Sequence, residues 1–317
     1  MFFPNGTQLA MALIDGQQTL FYGVKRRNDS LVTINNSVGV FEIGSITKVF
    51  TATLLAQEVL KGTLSLDQKV AELLEMEFNS GNEITLQELA NHTSGMPRLA
   101  SNLFTYVQDR TNPYRDYSPE ILTNYLRDEL KLLDKKEYAY SNTGVALLGH
   151  SLGVHFERPY IEVMADSILA PLQMQYTVFG AENAGDTFVQ GLNTDGSPTS
   201  NWDMNVHAPA GGILSTVADL EKFARAQFDP ENKAMALTRK TTHNIREDLV
   251  IGLGWHMRTM DQGNWYSHSG GTGGYSSLLV VDVDNQKAVI ILSNVSSYHN
   301  KMRNVEQLGA ELLKSFY

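Results

Sequence analysis

The chain has 317 residues, of which 42% are hydrophobic and 19% are charged, and its formal net charge is −10. This size allows one large domain or two lobes with a sizeable core, and the acidic balance argues against nucleic acid or anionic membranes as partners. The chain contains no cysteine, which excludes disulfides, thiolate catalysis and cysteine metal sites. No stretch approaches the roughly 18 to 20 apolar residues that span a bilayer, so no transmembrane segment is predicted, and the first residues lack the features of a signal peptide.

The amino-terminal part of the chain is predicted to be extended. β-Branched and apolar residues form two runs, over 7–14 and 19–24, and the Asp15-Gly16 pair between them is typical of hairpin turns. A third extended run covers 38–43 and leads directly into Gly44-Ser45. These segments predict a hairpin and a further strand that ends beside Ser45.

Helices are predicted to follow. Apolar residues spaced by three or four predict the first helix over 46–60, with Gly62 as its stop, so Ser45 is expected at or near its first turn. From about 67 to 174 the pattern is mostly short helices joined by turn-rich segments. The helices predicted in this stretch cover 86–90, 119–133, 143–154 and 160–169.

The carboxyl-terminal part returns to extended structure. A polar, irregular stretch over 188–210 precedes a helix predicted over 215–227. Three extended runs and a final amphipathic helix then follow, over 252–257, 276–283, 288–293 and 305–316.

Strands at both ends and helices in the middle predict an α+β fold of the α/β sandwich type. The distant strands are expected to form one antiparallel sheet flanked by helices, with a mostly helical lobe inserted between them. The α/β lobe is predicted from about 1–66 and 205–317, and the helical lobe from about 67–204. A cleft is expected where the two lobes meet.

Ser45 and Lys48 form a Ser-x-x-Lys tetrapeptide at the start of the first predicted helix. Two residues three apart on a helix share a face, so the amine can act on the hydroxyl. A helix N-terminus favours developing negative charge, and burial on an apolar helix would lower the pKa of Lys48 until it accepts the serine proton near neutral pH. The alternative interpretation is an N-capping serine followed by a lysine that extends into solvent.

A second candidate motif, Tyr140-Ser141-Asn142, lies directly before the helix predicted over 143–154. A phenol near Ser45 can relay or accept a proton, and the amide of Asn142 can hold both the lysine and a substrate carbonyl. The pattern is weak by itself, because residues 80–82 and 298–300 also match it.

The third candidate motif is His268-Ser269-Gly270-Gly271. Its glycines predict a bend that runs to Gly274. Backbone N–H groups at these glycines can serve an oxyanion, and His268 can offer a donor or a cation to a substrate carboxylate. A plain hairpin turn is the alternative. The histidine spacings form no zinc motif, and the chain has no phosphate loop or Gly-x-Ser-x-Gly elbow, so neither a metal site nor a cofactor is predicted.

In chain order, the three motifs resemble those of the serine β-lactamase and penicillin-binding protein superfamily, specifically its class C β-lactamase-like branch. That branch also holds D-alanyl-D-alanine carboxypeptidases and related esterases. Further segments carry the same resemblance: 42–48, 91–97, 210–216 with Asp219-Leu220, and 252–255.

The resemblance implies a β-lactamase/transpeptidase-like fold and a set of site residues. Ser45 would be the nucleophile, and Lys48 and Tyr140 would share general-base work. Substrate would be bound by Asn142, His268, Gly270 and Gly271. The oxyanion hole would consist of the backbone N–H groups of Ser45 and Gly271.

The resemblance also implies a serine hydrolase that acts on small molecules or peptides, outside the cytoplasm and without a cofactor. The leading hypothesis is a D-alanyl-D-alanine carboxypeptidase or a class C β-lactamase-like enzyme; a carboxylesterase is the alternative, and a non-catalytic penicillin-recognising scaffold comes third. His268 replaces the lysine of class C β-lactamases proper, which favours peptidase or esterase activity. At the amino end, Thr7 already begins the first strand, where family members usually have a helix.

Overall fold

The computed structural model describes residues 3–81, 83–134 and 136–317. Its strands form two sheets in which every neighbouring pair is antiparallel. The strands are β1 (Gln8–Asp15), β2 (Gln18–Arg27), β3 (Ser30–Ile34), β4 (Phe41–Glu42), β5 (Val178–Phe179), β6 (Ile213–Ser215), β7 (His243–Arg246), β8 (Leu249–Ile251), β9 (His256–Met260), β10 (Gly263–Gly271), β11 (Ser276–Asp282) and β12 (Lys287–Ser293).

The helices lie mainly between and around these strands. The α-helices are α1 (Thr47–Lys61), α2 (Val70–Leu73), α3 (Leu86–Ala90), α4 (Leu103–Tyr106), α5 (Pro119–Asp128), α6 (Asn142–His155), α7 (Tyr160–Met164), α8 (Ala208–Gly211), α9 (Val217–Phe228), α10 (Lys233–Thr238) and α11 (Arg303–Lys314). Short 3₁₀ turns occur at Gly44–Ile46, Ala181–Asn183, Gly185–Thr187 and Asn205–His207, and a π-helical turn at Ala165–Leu169.

The large sheet has nine strands in the order β3-β2-β1-β12-β11-β10-β9-β8-β7, and the small one has the order β4-β6-β5. The first and last strands of the chain are therefore neighbours in the middle of the large sheet, with Met11 opposite Ile291. This confirms the predicted α+β fold with one antiparallel sheet built from distant parts of the chain. The proposed division into two lobes stays a prediction.

The central strands β11 and β12 carry unbroken apolar runs because helices cover both of their faces. Every residue of β11 is buried. One face packs on the main core, where α1 and α9 meet and the Phe50 and Phe223 rings stack with centroids 3.9 Å apart. The other face packs on α11 through Val305 and Leu313. Burial on two sides explains why these strands lack the alternation of a half-exposed strand.

Helix α1 carries the first motif into the core. Its buried residues run from Thr47 to Ala56 without interruption, and it ends at Gly62, whose φ of +75° suits a left-handed C-cap. Helix α6 begins directly after the second motif, where the side chain of Ser141 caps it by accepting the N–H of Gly144 at 2.8 Å. The predicted starts and stops of these two helices are confirmed within one or two residues.

Several other sequence predictions were wrong in detail. Helix α5 ends at Asp128 rather than 133, and the strand predicted over 252–257 begins only at His256. Of the bend predicted from His268 to Gly274, residues 268–271 instead form the end of β10, where they pair with β11, and only Gly273 and Gly274 lie in a bend. Ladder hydrogen bonds to a neighbouring strand hold this glycine-containing segment extended, and its local sequence does not show this.

Among the described residues, no helix combines the length and the apolar character that crossing a bilayer requires.

Candidate active site

The first motif brings a serine and a buried lysine into contact. Ser45 lies in the 3₁₀ turn that precedes α1 and keeps part of its surface accessible, whereas Lys48 is only 2% exposed. Lys48 Nζ lies 3.1 Å from Ser45 Oγ and donates to the carbonyl oxygen of Ala210 at 2.6 Å. Burial lowers the pKa of Lys48 well below its usual value, and the positive charge of Arg98 adds to this effect. A neutral amine that donates to Ala210 keeps a lone pair to accept the hydroxyl proton.

Tyr140 belongs to the same cluster. Its ring centroid lies 4.9 Å from Lys48 Nζ, and the His92 ring lies 4.4 Å away on centroids. Desolvation raises the pKa of Tyr140, and interactions with Ser45 and Arg98 only partly oppose this. Burial therefore favours the protonated form of the phenol and the neutral form of the neighbouring amine.

Asn142, the other chemically relevant residue of the second motif, is the first residue of α6. Its backbone N–H donates to the carbonyl oxygen of Arg98 at 2.9 Å. Its side-chain Oδ1 is buried and has no hydrogen-bond partner among the residues that the structure describes. A buried amide oxygen without a partner is suited to accept a hydrogen bond from a bound substrate.

His268 is oriented as an acceptor rather than as the donor or cation that its sequence position suggested. The side chain is 3% exposed, and its Nδ1 lies 2.7 Å from the carbonyl oxygen of Ser269. Because a carbonyl oxygen only accepts, Nδ1 carries the ring proton. Burial is the main cause that lowers the pKa of His268 well below its usual value, so the ring is neutral. Nε2 then presents a lone pair, with no partner in the described part of the chain.

The glycines of the third motif allow β10 to lie directly against the segment before Ser45. A Cβ atom on Gly270 would come within 2.0 Å of the carbonyl oxygen of Ile43, and one on Gly44 would come within 2.6 Å of the Gly271 nitrogen. Ser277 Oγ also donates to the Ile43 carbonyl oxygen, at 2.8 Å. This packing brings the Gly271 backbone next to the turn that contains Ser45, as a two-donor oxyanion hole requires.

Three residues of the site were not predicted as site residues from the sequence. His92, at φ +62°, accepts the Ser141 N–H through Nδ1 at 3.2 Å. Arg98 places its guanidinium carbon 5.0 Å from the centroid of the Tyr140 ring. Ala210 contributes only its carbonyl oxygen. The segments 91–97 and 210–216 were noted only for their resemblance, and no local pattern shows which backbone carbonyl or arginine reaches the site.

No group of three or more potential His, Asp or Glu metal ligands occurs in residues 3–81, 83–134 and 136–317.

The chain has the β-lactamase fold, in which the nine-stranded antiparallel sheet places a glycine-containing strand beside the serine and the buried lysine. The chain belongs to the Beta-lactamase family, whose sequence model matches residues 8–314.

Two relatives illustrate how far the sequence similarity extends. Protein flp of Staphylococcus aureus strain MW2 is 27% identical over 288 residues, which cover 86% of this chain and 56% of that protein. Penicillin-binding protein 4 of Amycolatopsis lactamdurans is 26% identical over 323 residues, which cover 91% of this chain and 80% of that protein. The chain thus spans only about half the length of the flp proteins that it matches.

Solved structures share the fold at lower identity. The class C β-lactamase of Rhodobacter sphaeroides superposes with a TM-score of 0.82 at 20% identity, over 99% of this chain and 95% of that one. A protein described as a β-lactamase/D-alanine carboxypeptidase from Pseudomonas syringae gives a TM-score of 0.78 at 20% identity, over 97% and 93% of the two chains. At this identity the likeness establishes the fold alone.

Proposed function

We propose that this protein forms an acyl-enzyme on Ser45 and acts on cell-wall peptides ending in D-alanyl-D-alanine or on β-lactams. The observation that carries the proposal is the 3.1 Å approach of Lys48 Nζ to Ser45 Oγ, with the lysine buried. A buried amine with a lowered pKa next to a hydroxyl is the arrangement that activates a serine nucleophile.

Acylation would begin when Lys48 accepts the Ser45 proton as the serine oxygen attacks the carbonyl carbon. Lys48 takes this role rather than Tyr140, because the lysine pKa is lowered and the tyrosine pKa is raised. The protonated phenol then donates to the leaving nitrogen or oxygen and recovers a proton from Lys48. The N–H groups of Ser45 and Gly271 would stabilise the tetrahedral oxyanion, each such donor contributing about 2.7 to 4 kcal/mol.

Water completes the cycle by attacking the acyl-enzyme, and the rate of this step separates the activities. Slow attack on a penicilloyl adduct gives a penicillin-binding carboxypeptidase, whereas fast attack gives a β-lactamase. The similarity to a penicillin-binding protein and to class C β-lactamases supports this substrate class. Cell-wall peptides lie outside the cytoplasm, so an extracytoplasmic location is part of the proposal.

A carboxylesterase is the second candidate, and the state of His268 is the observation that favours it. A neutral histidine with a free Nε2 lone pair offers no cation to the carboxylate of a peptide or β-lactam. An ester without a carboxylate would not need a cation at this position. This candidate predicts fast turnover of short-chain nitrophenyl esters and no cleavage of a D-alanyl-D-alanine peptide.

Intact mass spectrometry after incubation with benzylpenicillin tests the shared mechanism. We expect a mass increase of one penicilloyl group on the wild-type protein and none on the Ser45→Ala variant. Peptide mapping would place the group on Ser45. Absence of any adduct, at short times and after rapid acid quenching, would contradict the proposal, since quenching traps an intermediate that deacylates quickly.

Turnover assays then separate the two candidates. A D-alanyl-D-alanine peptide and a 4-nitrophenyl ester are compared at equal enzyme concentration. Release of D-alanine supports the peptidase, and a large ester preference with no D-alanine release supports the carboxylesterase.

A further inference from the structure

Arg98 is a cation at the site, and the acylation mechanism gives it no role. Arg98 is exposed, and its guanidinium carbon lies 5.0 Å from the centre of the Tyr140 ring. It makes no ion pair and no side-chain hydrogen bond with the residues that the structure describes. An arginine in this state keeps its five N–H donors available to a ligand.

The backbone of Arg98 is tied rigidly to the second motif. Its carbonyl oxygen accepts the N–H groups of Asn142 at 2.9 Å and Thr143 at 3.3 Å. The neighbouring Pro97 carbonyl oxygen accepts the Ser141 hydroxyl at 2.7 Å. The guanidinium therefore extends from a fixed point at the first turn of α6, next to Tyr140.

The histidines around the site are neutral at pH 7, and burial favours the neutral form of Lys48. Burial lowers the pKa values of Lys48, His92 and His268, and it lowers that of His256 to about 4. The charge of Arg98 acts on both Lys48 and Tyr140, so it reaches the reacting groups. At neutral pH, a negatively charged substrate group would therefore find its counterion at Arg98 and not at the third motif.

We propose that Arg98 binds a carboxylate of the substrate beside Tyr140, in the role that the sequence suggested for His268. The proposal rests on the function proposed above and narrows it to substrates that carry a carboxylate near the scissile bond. A guanidinium binds a carboxylate through two parallel N–H donors, which fixes orientation as well as charge. His268 Nε2 is then left to accept a hydrogen bond from a substrate N–H or O–H.

Acylation by benzylpenicillin and by its methyl ester tests this, since the two differ only in the carboxylate. We expect Arg98→Ala to slow acylation by the acid about 10- to 100-fold more than acylation by the ester. This factor corresponds to the free energy of a hydrogen bond between charged groups. Arg98→Lys should recover part of this difference. His268→Ala should slow both reactions in similar proportion, and Arg127→Ala, an exposed arginine on α5, should change neither. An equal effect of Arg98→Ala on both compounds would overturn the proposal.

A binding measurement keeps the anion site separate from the chemistry. In the Ser45→Ala protein, acetyl-D-alanyl-D-alanine and its carboxyl-terminal amide are compared by calorimetry. The proposal is supported if the acid binds more tightly than the amide and this difference disappears in Arg98→Ala. This holds even if the wild-type protein is not acylated and the proposed function is wrong. Equal binding or no binding of the two peptides overturns it, whatever the acylation result.

Discussion

Replacing Lys48 by methionine should abolish acylation while making the folded protein more stable. Methionine matches the length of the lysine stem and fills the same buried space without a polar end. Loss of a general base lowers a rate about 10²- to 10⁴-fold. The stability change has the opposite sign because Lys48 is buried and its pKa is lowered.

The size of the stability effect depends on pH. The lysine titrates near 10.5 when unperturbed, and well below this value in the folded protein. Between the two pKa values the unfolded chain binds one proton more, so the contribution of Lys48 to wild-type stability rises with pH by about 1.4 kcal/mol per unit. The wild type therefore carries a stability penalty at pH 7 that diminishes as the pH rises towards the unperturbed lysine pKa. The variant escapes it but leaves the Ala210 carbonyl oxygen without its donor, which costs about 1 to 3 kcal/mol.

Urea unfolding of the wild type and Lys48→Met at pH 7 and pH 9.5 measures this difference. We expect the variant to be more stable than the wild type at pH 7, with an advantage that shrinks at pH 9.5. Lys301→Met, at an exposed lysine, is the control and should show no such pH-dependent difference. A stability difference that is the same at both pH values would refute a neutral Lys48 in the folded protein.

Three further variants test the geometry of the site. Gly44→Ala adds a Cβ atom 2.6 Å from the Gly271 nitrogen at a φ of +51°. It should therefore destabilise the fold by roughly 2 kcal/mol in urea unfolding and slow penicillin acylation. Unchanged stability would mean that the two segments are not in contact. Tyr140→Phe should lower the acylation rate about 10²- to 10⁴-fold with little change in the urea midpoint, and a near wild-type rate would remove Tyr140 from proton transfer. Arg98→Ala removes a positive charge that lowers the pKa of Lys48, so the acidic limb of the acylation rate should move to higher pH; a shift to lower pH would contradict this electrostatic effect.

The local sequence was most informative where a single element determines the outcome. Apolar spacing and Gly62 predicted α1 and its end, because an apolar helix face and a left-handed C-cap are local requirements. Two runs of β-branched and apolar residues around the Asp15-Gly16 pair predicted the first hairpin, which the structure forms between β1 and β2. Local patterns failed at residues 268–271 of β10, whose extended form depends on pairing with β11.

The candidate site also combines residues that the local sequence predicted with residues that it could not predict. Spacing placed Lys48 one helical turn from Ser45, and the structure brings their side chains into contact. Tyr140 and His268 were selected through motif order and resemblance, since no local rule relates residues so far apart in the chain. Their catalytic and binding roles stay predictions for the experiments above.

Chain order and local periodicity thus sufficed for the fold class and for the pairing of a serine with a lysine. Only the tertiary structure decided the charge states, because burial depends on residues contributed by distant segments. It lowered the pKa values of Lys48 and His268, turned the histidine into an acceptor through the Ser269 carbonyl oxygen, and left Arg98 as the cation beside Tyr140. A sequence motif specifies which ionisable groups are present, whereas solvent access and hydrogen-bond partners determine which of them are charged.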